Sequence, residues 1–237
     1  MLKIEIAGIP IGLDNRFKYI EKLVEGYLTE REPLFTVSAT DEELRREAKE
    51  NPEGFPDYYL ESVVLYRNIA VRLPDFDAFV FHGAALEYGG LSYLFTARSG
   101  VGKTTHTRLW LSEFEGARYI NGDKPVIRFI DGVPYVFGTP WRGKENYGEN
   151  ISAPLCSIAL LRRGEKNEAE EISAADAAVP VMSQIYIPRS ASAAAQTMRL
   201  ADMLLSSVRI VRLSCNMERE AARVAYEAMK QIKGEKL

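Results

Sequence analysis

A short glycine-rich segment near the middle of the chain carries the residue types that bind phosphate. It reads SGVGKTT over residues 99–105, directly after the apolar run 91–97 and before an amphipathic run. Glycines in a strand-to-helix turn let successive backbone N–H groups point into one concavity, and the helix N-terminus adds the positive end of its dipole. The nucleotide-binding residues that this pattern predicts are Ser99, Gly100, Val101, Gly102, Lys103, Thr104 and Thr105.

Two side chains of this segment indicate which phosphates would be bound. The ammonium group of Lys103 is a mobile point charge that can reach β- and γ-phosphate oxygens, and the hydroxyl group of Thr104 can ligate Mg²⁺. The pattern G-x-x-x-x-G-K-[ST] is complete except at its first glycine, where the chain has Ala97, and alanine is tolerated there if its φ is negative. We expect ATP and Mg²⁺ as cofactors, although no adenine-recognition motif separates ATP from GTP or pyrophosphate.

Three residues outside the segment have side chains suited to catalysis. His82, one of only two histidines, lies in an apolar run ahead of the glycine-rich segment. Asp123 follows a predicted strand and could hold Mg²⁺ directly or through water. Arg142 lies in a glycine-containing loop, where it or Lys144 could neutralise charge on a transferring phosphoryl group. The predicted catalytic residues are His82, Asp123 and Arg142, and the predicted metal ligands are Thr104 and Asp123.

Three short motifs resemble one known family. F-H-G-A at 81–84, S-G-V-G-K-T-T at 99–105 and N-G-D at 121–123 resemble the HPr kinase/phosphorylase family, whose core is shared with the ATP-dependent phosphoenolpyruvate carboxykinases. This resemblance covers roughly residues 78–163. The whole chain is similar to small HPr-kinase-like proteins often found with radical-enzyme and peptide-modification systems. Their recurring motifs read here A-G-I at 7–9, K-T-T-H-T-R-L-W at 103–110 and G-T-P-W-R-G-K at 138–144.

The resemblance implies roles for individual residues. Lys103 matches the phosphate-binding lysine, Thr104 the residue whose hydroxyl binds magnesium, and His82 the histidine that lies beside the transferring phosphate. Asp123 matches the second member of an acidic pair, but the first member is replaced by Gly122. Three outcomes stay open: Asp123 serves as both base and metal ligand, His82 or Glu145 takes over as the base, or transfer is lost.

The elements that must position these residues predict an α/β fold. Strands and helices are mixed along the chain and several strands are joined by hairpins, so we expect a mixed β-sheet core of the P-loop type flanked by helices. Residues 1–75 are predicted to form a small N-terminal α/β extension and residues 76–237 the nucleotide-binding domain. Residues 2–9, 77–88 and 91–97 are predicted strands, whereas 16–28, 57–73 and 103–114 are predicted helices.

Several local signals add detail to this prediction. Thr40 followed by Glu43 indicates a capping box at a helix start, and Asp131-Gly132 indicates a tight hairpin. Helical spacing places Trp110 and the tyrosines at 58, 59 and 66 in the core.

The composition restricts the classes of partner. The chain has 237 residues with 30 Lys+Arg and 33 Asp+Glu, a formal charge of −3, which gives no basic field for nucleic acid or an anionic membrane. No run reaches the roughly 18 apolar residues of a spanning helix, and the N-terminus lacks a signal-peptide pattern. We therefore expect a cytoplasmic protein whose two cysteines are reduced. The sequence leaves room for a homo-oligomer.

Two functional hypotheses from different classes follow. The first is an ATP-dependent P-loop kinase of the HPr-kinase-like serine kinase type, which transfers a phosphoryl group to a hydroxyl of a peptide or small protein. The second is a non-catalytic nucleotide-responsive module that presents residues 1–75 to a partner, and the glycine at 122 favours it. A carboxykinase is disfavoured, because 237 residues leave no room for the extra domain that those enzymes need.

Overall fold

The computed structural model describes residues 1–51, 54–98 and 100–230. Ser99, a predicted phosphate-binding residue, lies outside the described residues. The strands are β1 (Leu2–Ile6), β2 (Ile9–Asp14), β3 (Phe35–Ser38), β4 (Ala78–Val80), β5 (Ala84–Tyr88), β6 (Leu91–Thr96), β7 (Arg118–Asn121), β8 (Val126–Ile130), β9 (Val133–Phe137), β10 (Ser152–Arg163), β11 (Glu168–Glu171) and β12 (Arg209–Cys215). The α-helices are α1 (Lys18–Leu23), α2 (Asp41–Glu50), α3 (Asp57–Arg72), α4 (Lys103–Glu113), α5 (Ala174–Met182), α6 (Ala191–Ser207) and α7 (Glu220–Met229). None of the helices in the described ranges is long and apolar enough to cross a bilayer.

The N-terminal part of the chain forms a small three-stranded sheet. β1 pairs antiparallel with β2, and β2 pairs parallel with β3. The prediction of one strand over 2–9 is wrong, because Ala7 and Gly8 have φ of 53° and 74° and reverse the chain between β1 and β2. This tight turn places the isoleucines of both strands in one core.

Helices α1 to α3 cover this sheet. The capping box is confirmed: the hydroxyl of Thr40 accepts from the N–H of Glu43, and the Glu43 carboxylate accepts from the N–H of Thr40. The predicted helix 16–28 is shorter than expected and consists of α1 and a 3-10 turn at Glu25–Tyr27. Its start is held by the buried carboxylate of Glu61 on α3, which accepts from the N–H groups of Arg16 and Phe17 at 2.6 and 3.1 Å.

The second sheet is larger and mixed. Its strands follow the order β4-β8-β9-β10-β6-β5-β7, while β12 pairs with β10 and with β11. β10 runs parallel to β6 and β12, and the other pairs are antiparallel. The prediction of a mixed sheet flanked by helices is therefore confirmed. The hairpin is confirmed too, since Asp131 and Gly132 both have positive φ between β8 and β9.

The predicted strand 77–88 is divided in two, and His82 lies in the break between β4 and β5. The N–H of His82 donates to the carbonyl of Gln184 at 2.7 Å, and the N–H of Gly83 donates to the carbonyl of Asp123 at 3.0 Å. A Cβ atom at Gly83 would lie 2.9 Å from the carbonyl oxygen of Phe95, so only glycine fits. The break turns the His82 side chain out of the sheet and towards Asp123.

One apolar cluster joins the N-terminal sheet and α3 to β4 and β8. The boundary at residue 75 stays a prediction. The core prediction holds for Trp110, which is fully buried, and in part for Tyr66, which is half-buried. It is wrong for Tyr58 and Tyr59, which are 42% and 39% exposed because they do not lie on the face of α3 that packs in the core.

Candidate functional site

The glycine-rich loop connects the end of β6 at Thr96 to the start of α4 at Lys103. Gly100 and Gly102 have φ of 77° and 120°, values that favour glycine. A Cβ atom at Gly100 would meet no atom within 4 Å, so its backbone faces open space. Ala97 is not among the residues with positive φ and packs in the core beside Phe95 and Trp110. The loop therefore accepts alanine at its first position and keeps a free surface for an anion.

Lys103 lies over this loop with few competing contacts. Its Nζ atom is 3.4 Å from the carbonyl oxygen of Ala97, a weak hydrogen bond. Burial lowers the pKa of Lys103, and the negative charge of Asp123 opposes that shift. A desolvated ammonium group with spare donors is suited to binding a phosphate group.

Arg163, which sequence reasoning missed, holds the outer side of the loop. It lies at the end of β10, the parallel neighbour of β6, and donates to the carbonyl oxygens of Gly100 and Val101 at 2.6 and 3.3 Å. The guanidinium therefore fixes the loop backbone through these two carbonyls. No local signal could have identified Arg163, since the pairing of β10 with β6 depends on the fold.

His82 and Asp123 form the second half of the site. The Nε2 atom of His82 lies 3.3 Å from Oδ1 of Asp123, and both side chains are about one-third exposed. Burial alone would raise the pKa of Asp123, but the contact with His82 and the charges of Lys124 and Lys103 hold that pKa below its usual value. Asp123 is therefore an ionised carboxylate near neutral pH, available to a proton or a cation.

Asn121, the first residue of the N-G-D motif, is buried and organises this turn, a role that the sequence did not reveal. Its side-chain oxygen accepts from the N–H groups of Asp123 and Lys124 at 2.8 and 2.7 Å. Its amide group donates to the carbonyl and the hydroxyl of Thr139 at 3.1 and 3.0 Å. Asn121 thus fixes the backbone that carries Asp123 and ties it to the loop that follows β9.

Gly122, where the resembling family has an acidic residue, is covered by the loop 139–150. Its N–H donates to the carbonyl of Tyr147 at 2.8 Å. A Cβ atom at 122 would lie 3.2 Å from that carbonyl oxygen and 3.4 Å from the carbonyl oxygen of Arg142. The glycine lets the loop approach β7 closely, and a Cβ atom here would require the neighbouring backbone to shift by a few tenths of an ångström.

The same loop determines what Arg142 and Glu145 can reach. The Arg142 guanidinium lies 5.9 Å from the centre of the Tyr27 ring, and its buried Nε atom makes no hydrogen bond within the described part of the chain. Glu145 is 3.1 Å from Arg108 on α4. Arg142 therefore lines the site, whereas Glu145 is engaged by Arg108.

A cleft of about 1340 Å³ opens beside the His82–Asp123 pair. Arg142 and Lys124 also line it, but the described residues of the glycine-rich loop do not. Its other wall comes from α1, α3 and the segment 183–186. Asp123 faces this cleft and also interacts electrostatically with Lys103, so it lies between the loop and the cleft.

The donor set is compatible with a magnesium nucleotide. Thr104 lies in the first turn of α4, and within the described residues no group of three or more His, Cys, Asp or Glu side chains could form a metal site of its own. Mg²⁺ in nucleotide sites needs only one or two protein ligands, because phosphate oxygens and water supply the rest. Thr104 and Asp123 are residues of the right chemistry, while Thr105 is exposed on α4.

His106 supports the site from inside the fold. It is buried behind the loop, where its Nε2 atom accepts from the indole N–H of Trp110 at 3.2 Å. Burial lowers the pKa of His106 from 6.5 to about 4. This burial and the contact with Trp110 make His106 a packing residue.

We predict that His106 makes the protein less stable in mild acid. The unfolded chain binds a proton at this residue below pH 6.5, whereas the folded chain does so only near pH 4, so stability is lost as the pH falls between these values. When the pH is lowered from 7 to 5, the free energy of unfolding should fall by about 2 kcal/mol more in the native protein than in the His106→Gln variant. Urea unfolding at both pH values measures this difference. Equal losses in the two proteins would contradict it.

The comparisons with known proteins include a structural likeness. The chain is similar to the structure of the Hpr(Ser) kinase/phosphatase from Coxiella burnetii, with a TM-score of 0.35 and 8% sequence identity over 62% of this chain and 91% of that chain. Likeness at this level does not by itself establish a family. No protein-family model matches the chain. No curated protein matches it either.

Proposed function

We propose that the protein is an ATP-dependent kinase that transfers a phosphoryl group to a hydroxyl group, serine or threonine of a peptide or small protein being the acceptor. The observation that carries the proposal is the position of Asp123, an ionised carboxylate that contacts His82, interacts with Lys103 and faces the cleft. A phosphate-binding loop and an acceptor site must meet at one such group for in-line transfer.

Each residue of the site has a task in this reaction. The loop N–H groups and Lys103 bind the β- and γ-phosphates, and Arg142 neutralises charge that develops on the transferred group. Thr104 and Asp123 would hold Mg²⁺, which would supply further charge neutralisation when bound. Asp123 or His82 accepts the proton of the acceptor hydroxyl. The hydroxyl oxygen gains its bond to the γ-phosphorus as the bond to the ADP oxygen breaks, so ADP leaves and a phosphate ester remains.

A second function is supported by Gly122. Because position 122 is glycine, the acidic turn has one carboxylate where the resemblance to the HPr kinases implies two. A nucleotide-responsive binding module would need the phosphate loop but no base. It would use bound ATP to change how the N-terminal part meets a partner.

The test is phosphoryl transfer from labelled Mg-ATP to a library of serine- and threonine-containing peptides, read by mass spectrometry. Phosphopeptides with an equal yield of ADP are the expected result. Stoichiometric nucleotide binding without any phosphorylated product would reject the kinase and support the binding module. Failure to bind ATP, GTP or pyrophosphate would reject both.

A further inference from the structure

The cleft beside Asp123 has a charge opposite to that of the whole chain. The protein carries a formal charge of −3, yet cationic groups outnumber carboxylates in the cleft. Arg67 is already neutralised by ion pairs with Glu47 and Glu50. The remaining charged lining consists of four cations against two carboxylates: Lys22, Lys124, Arg142 and Lys144, with Glu25 and Asp123.

Two of these cations are exposed at the cleft. Lys22 at the end of α1 and Lys144 in the loop 139–150 are exposed and form no ion pair with any described residue. They come from two segments that are distant in the chain, α1 and the loop 139–150, and both line the cleft. An anionic ligand in the cleft could pair with a lysine from each segment.

Aromatic rings line the same space. The rings of Tyr66 and Trp141 line the cleft and pack with their centroids 5.2 Å apart. Trp141 is fixed by a hydrogen bond from its indole N–H to the carbonyl of Ser62 at 3.0 Å. Tyr19 and Tyr59 are each 39% exposed at the α1–α3 wall. Exposed tyrosines give a ligand apolar contact area at a small cost in side-chain entropy.

The size of the cleft favours a peptide over a small metabolite. Its volume of about 1340 Å³ exceeds the roughly 300–1,000 Å³ that is usual for small-molecule pockets. The exposed tyrosines add contact surface for an extended chain on the α1 and α3 side of the cleft. The exposed lysines of the lining favour a chain that carries carboxylates.

We propose that the cleft binds an acidic peptide segment that carries the acceptor hydroxyl, with Lys22 and Lys144 pairing with its Asp or Glu side chains and Tyr59 packing on an apolar residue. This assignment rests on the proposed kinase function and names its substrate class. The carboxylates flank the hydroxyl and direct it to Asp123. A basic peptide would meet the lysines and be repelled.

The experiment uses the full chain without nucleotide, so that binding is measured separately from transfer. A fluorescein-labelled peptide of about 10 residues, which spans about 33 Å when extended, carries one central serine, one tyrosine and glutamates on both sides. Its matched partner has lysines in place of the glutamates. Fluorescence anisotropy should give at least about tenfold tighter binding of the acidic peptide.

Variants assign the binding to the cleft. Lys22→Glu should lower the affinity for the acidic peptide by about tenfold, and Tyr59→Ala should lower it by a similar factor. Lys49→Glu makes the same charge change at an exposed site on α2 and should bind as the native chain does. Circular dichroism confirms that each variant is folded. Lys22→Glu and Tyr59→Ala both lie away from the glycine-rich loop, so the affinity of each variant for Mg-ATP should stay within about twofold of the native value.

Several results would overturn the assignment. These are equal affinity for the two peptides, native affinity in Lys22→Glu, or an equal loss in Lys49→Glu. If a single-stranded oligonucleotide binds more strongly and displaces the peptide, the ligand of the cleft is a nucleic acid and the peptide assignment is wrong. Peptide binding without phosphoryl transfer would support the acidic-peptide site and contradict the kinase function. Transfer to a non-acidic acceptor would support the kinase function and contradict this site.

Discussion

The Lys103→Ala variant is expected to lose Mg-ATP binding, with an affinity at least about 100-fold below that of the native chain, or roughly 2.7 kcal/mol. Lys103 is the half-buried cation over the glycine-rich loop, and its hydrogen bonding to the described residues is a weak contact with the carbonyl of Ala97, which leaves donors for the phosphates. Alanine removes this charge without filling the loop. The backbone N–H groups that remain provide neutral hydrogen bonds, which are weaker than charge-assisted ones.

Calorimetric titration of both proteins with Mg-ATP measures the effect. Lys166→Ala removes an equal charge from an exposed position away from the site and serves as the control. Thermal unfolding gives a second readout, because a ligand that binds only the folded chain raises its melting temperature. Equal affinity in the native chain and Lys103→Ala would show that the nucleotide does not use this loop.

The loop could be predicted from sequence because its determinants are local. Gly100, Gly102 and Lys103 are close neighbours in the chain, and the strand before them and the helix after them have clear periodicity. The positive φ of both glycines and the start of α4 at Lys103 follow from the same few residues. Ala97 also agrees with the expectation, since its backbone needs no positive φ.

The residues that support the loop and the acidic turn could not be predicted in this way. Arg163 reaches the loop only because β10 lies parallel to β6, a pairing between segments some 60 residues apart. Asn121 looks like an ordinary strand-end residue until Thr139 packs against it. The break at His82 depends on backbone contacts with Asp123 and Gln184, which periodicity within 77–88 does not encode.

The cleft is a still longer-range feature. Its walls come from α1, α3, the loop 139–150 and the segment 183–186, none of which carries a recognisable substrate motif. Tyr59 fits the helical spacing of a core residue, but the structure places it at the wall of the cleft. Helical periodicity cannot distinguish a face that packs on protein from one that faces a cleft, because both require apolar or aromatic side chains.

The Asp123→Asn variant should lose phosphoryl transfer by about 1,000-fold or more while it still binds the nucleotide measurably. Asparagine preserves the shape of the side chain, and the backbone contacts of residue 123 with Gly83 and Asn121 are unaffected. The change removes the negative charge that accepts a proton or ligates the metal. Lys103 and the loop remain in place to bind phosphate.

The rate of transfer to the acidic peptide measures this loss. Asp131→Asn is the control, because it makes the same chemical change in an exposed hairpin turn, where asparagine also tolerates positive φ.

The pH profile separates the two possible bases. The pKa of Asp123 lies below its usual value, so a rate limited by this carboxylate stays constant down to about pH 5 and falls only in stronger acid. A fall between about pH 7.5 and 5.5 would instead assign the proton to an imidazole. Full activity in Asp123→Asn would remove Asp123 from the chemistry, because no amide can take the place of an ionised carboxylate in either role.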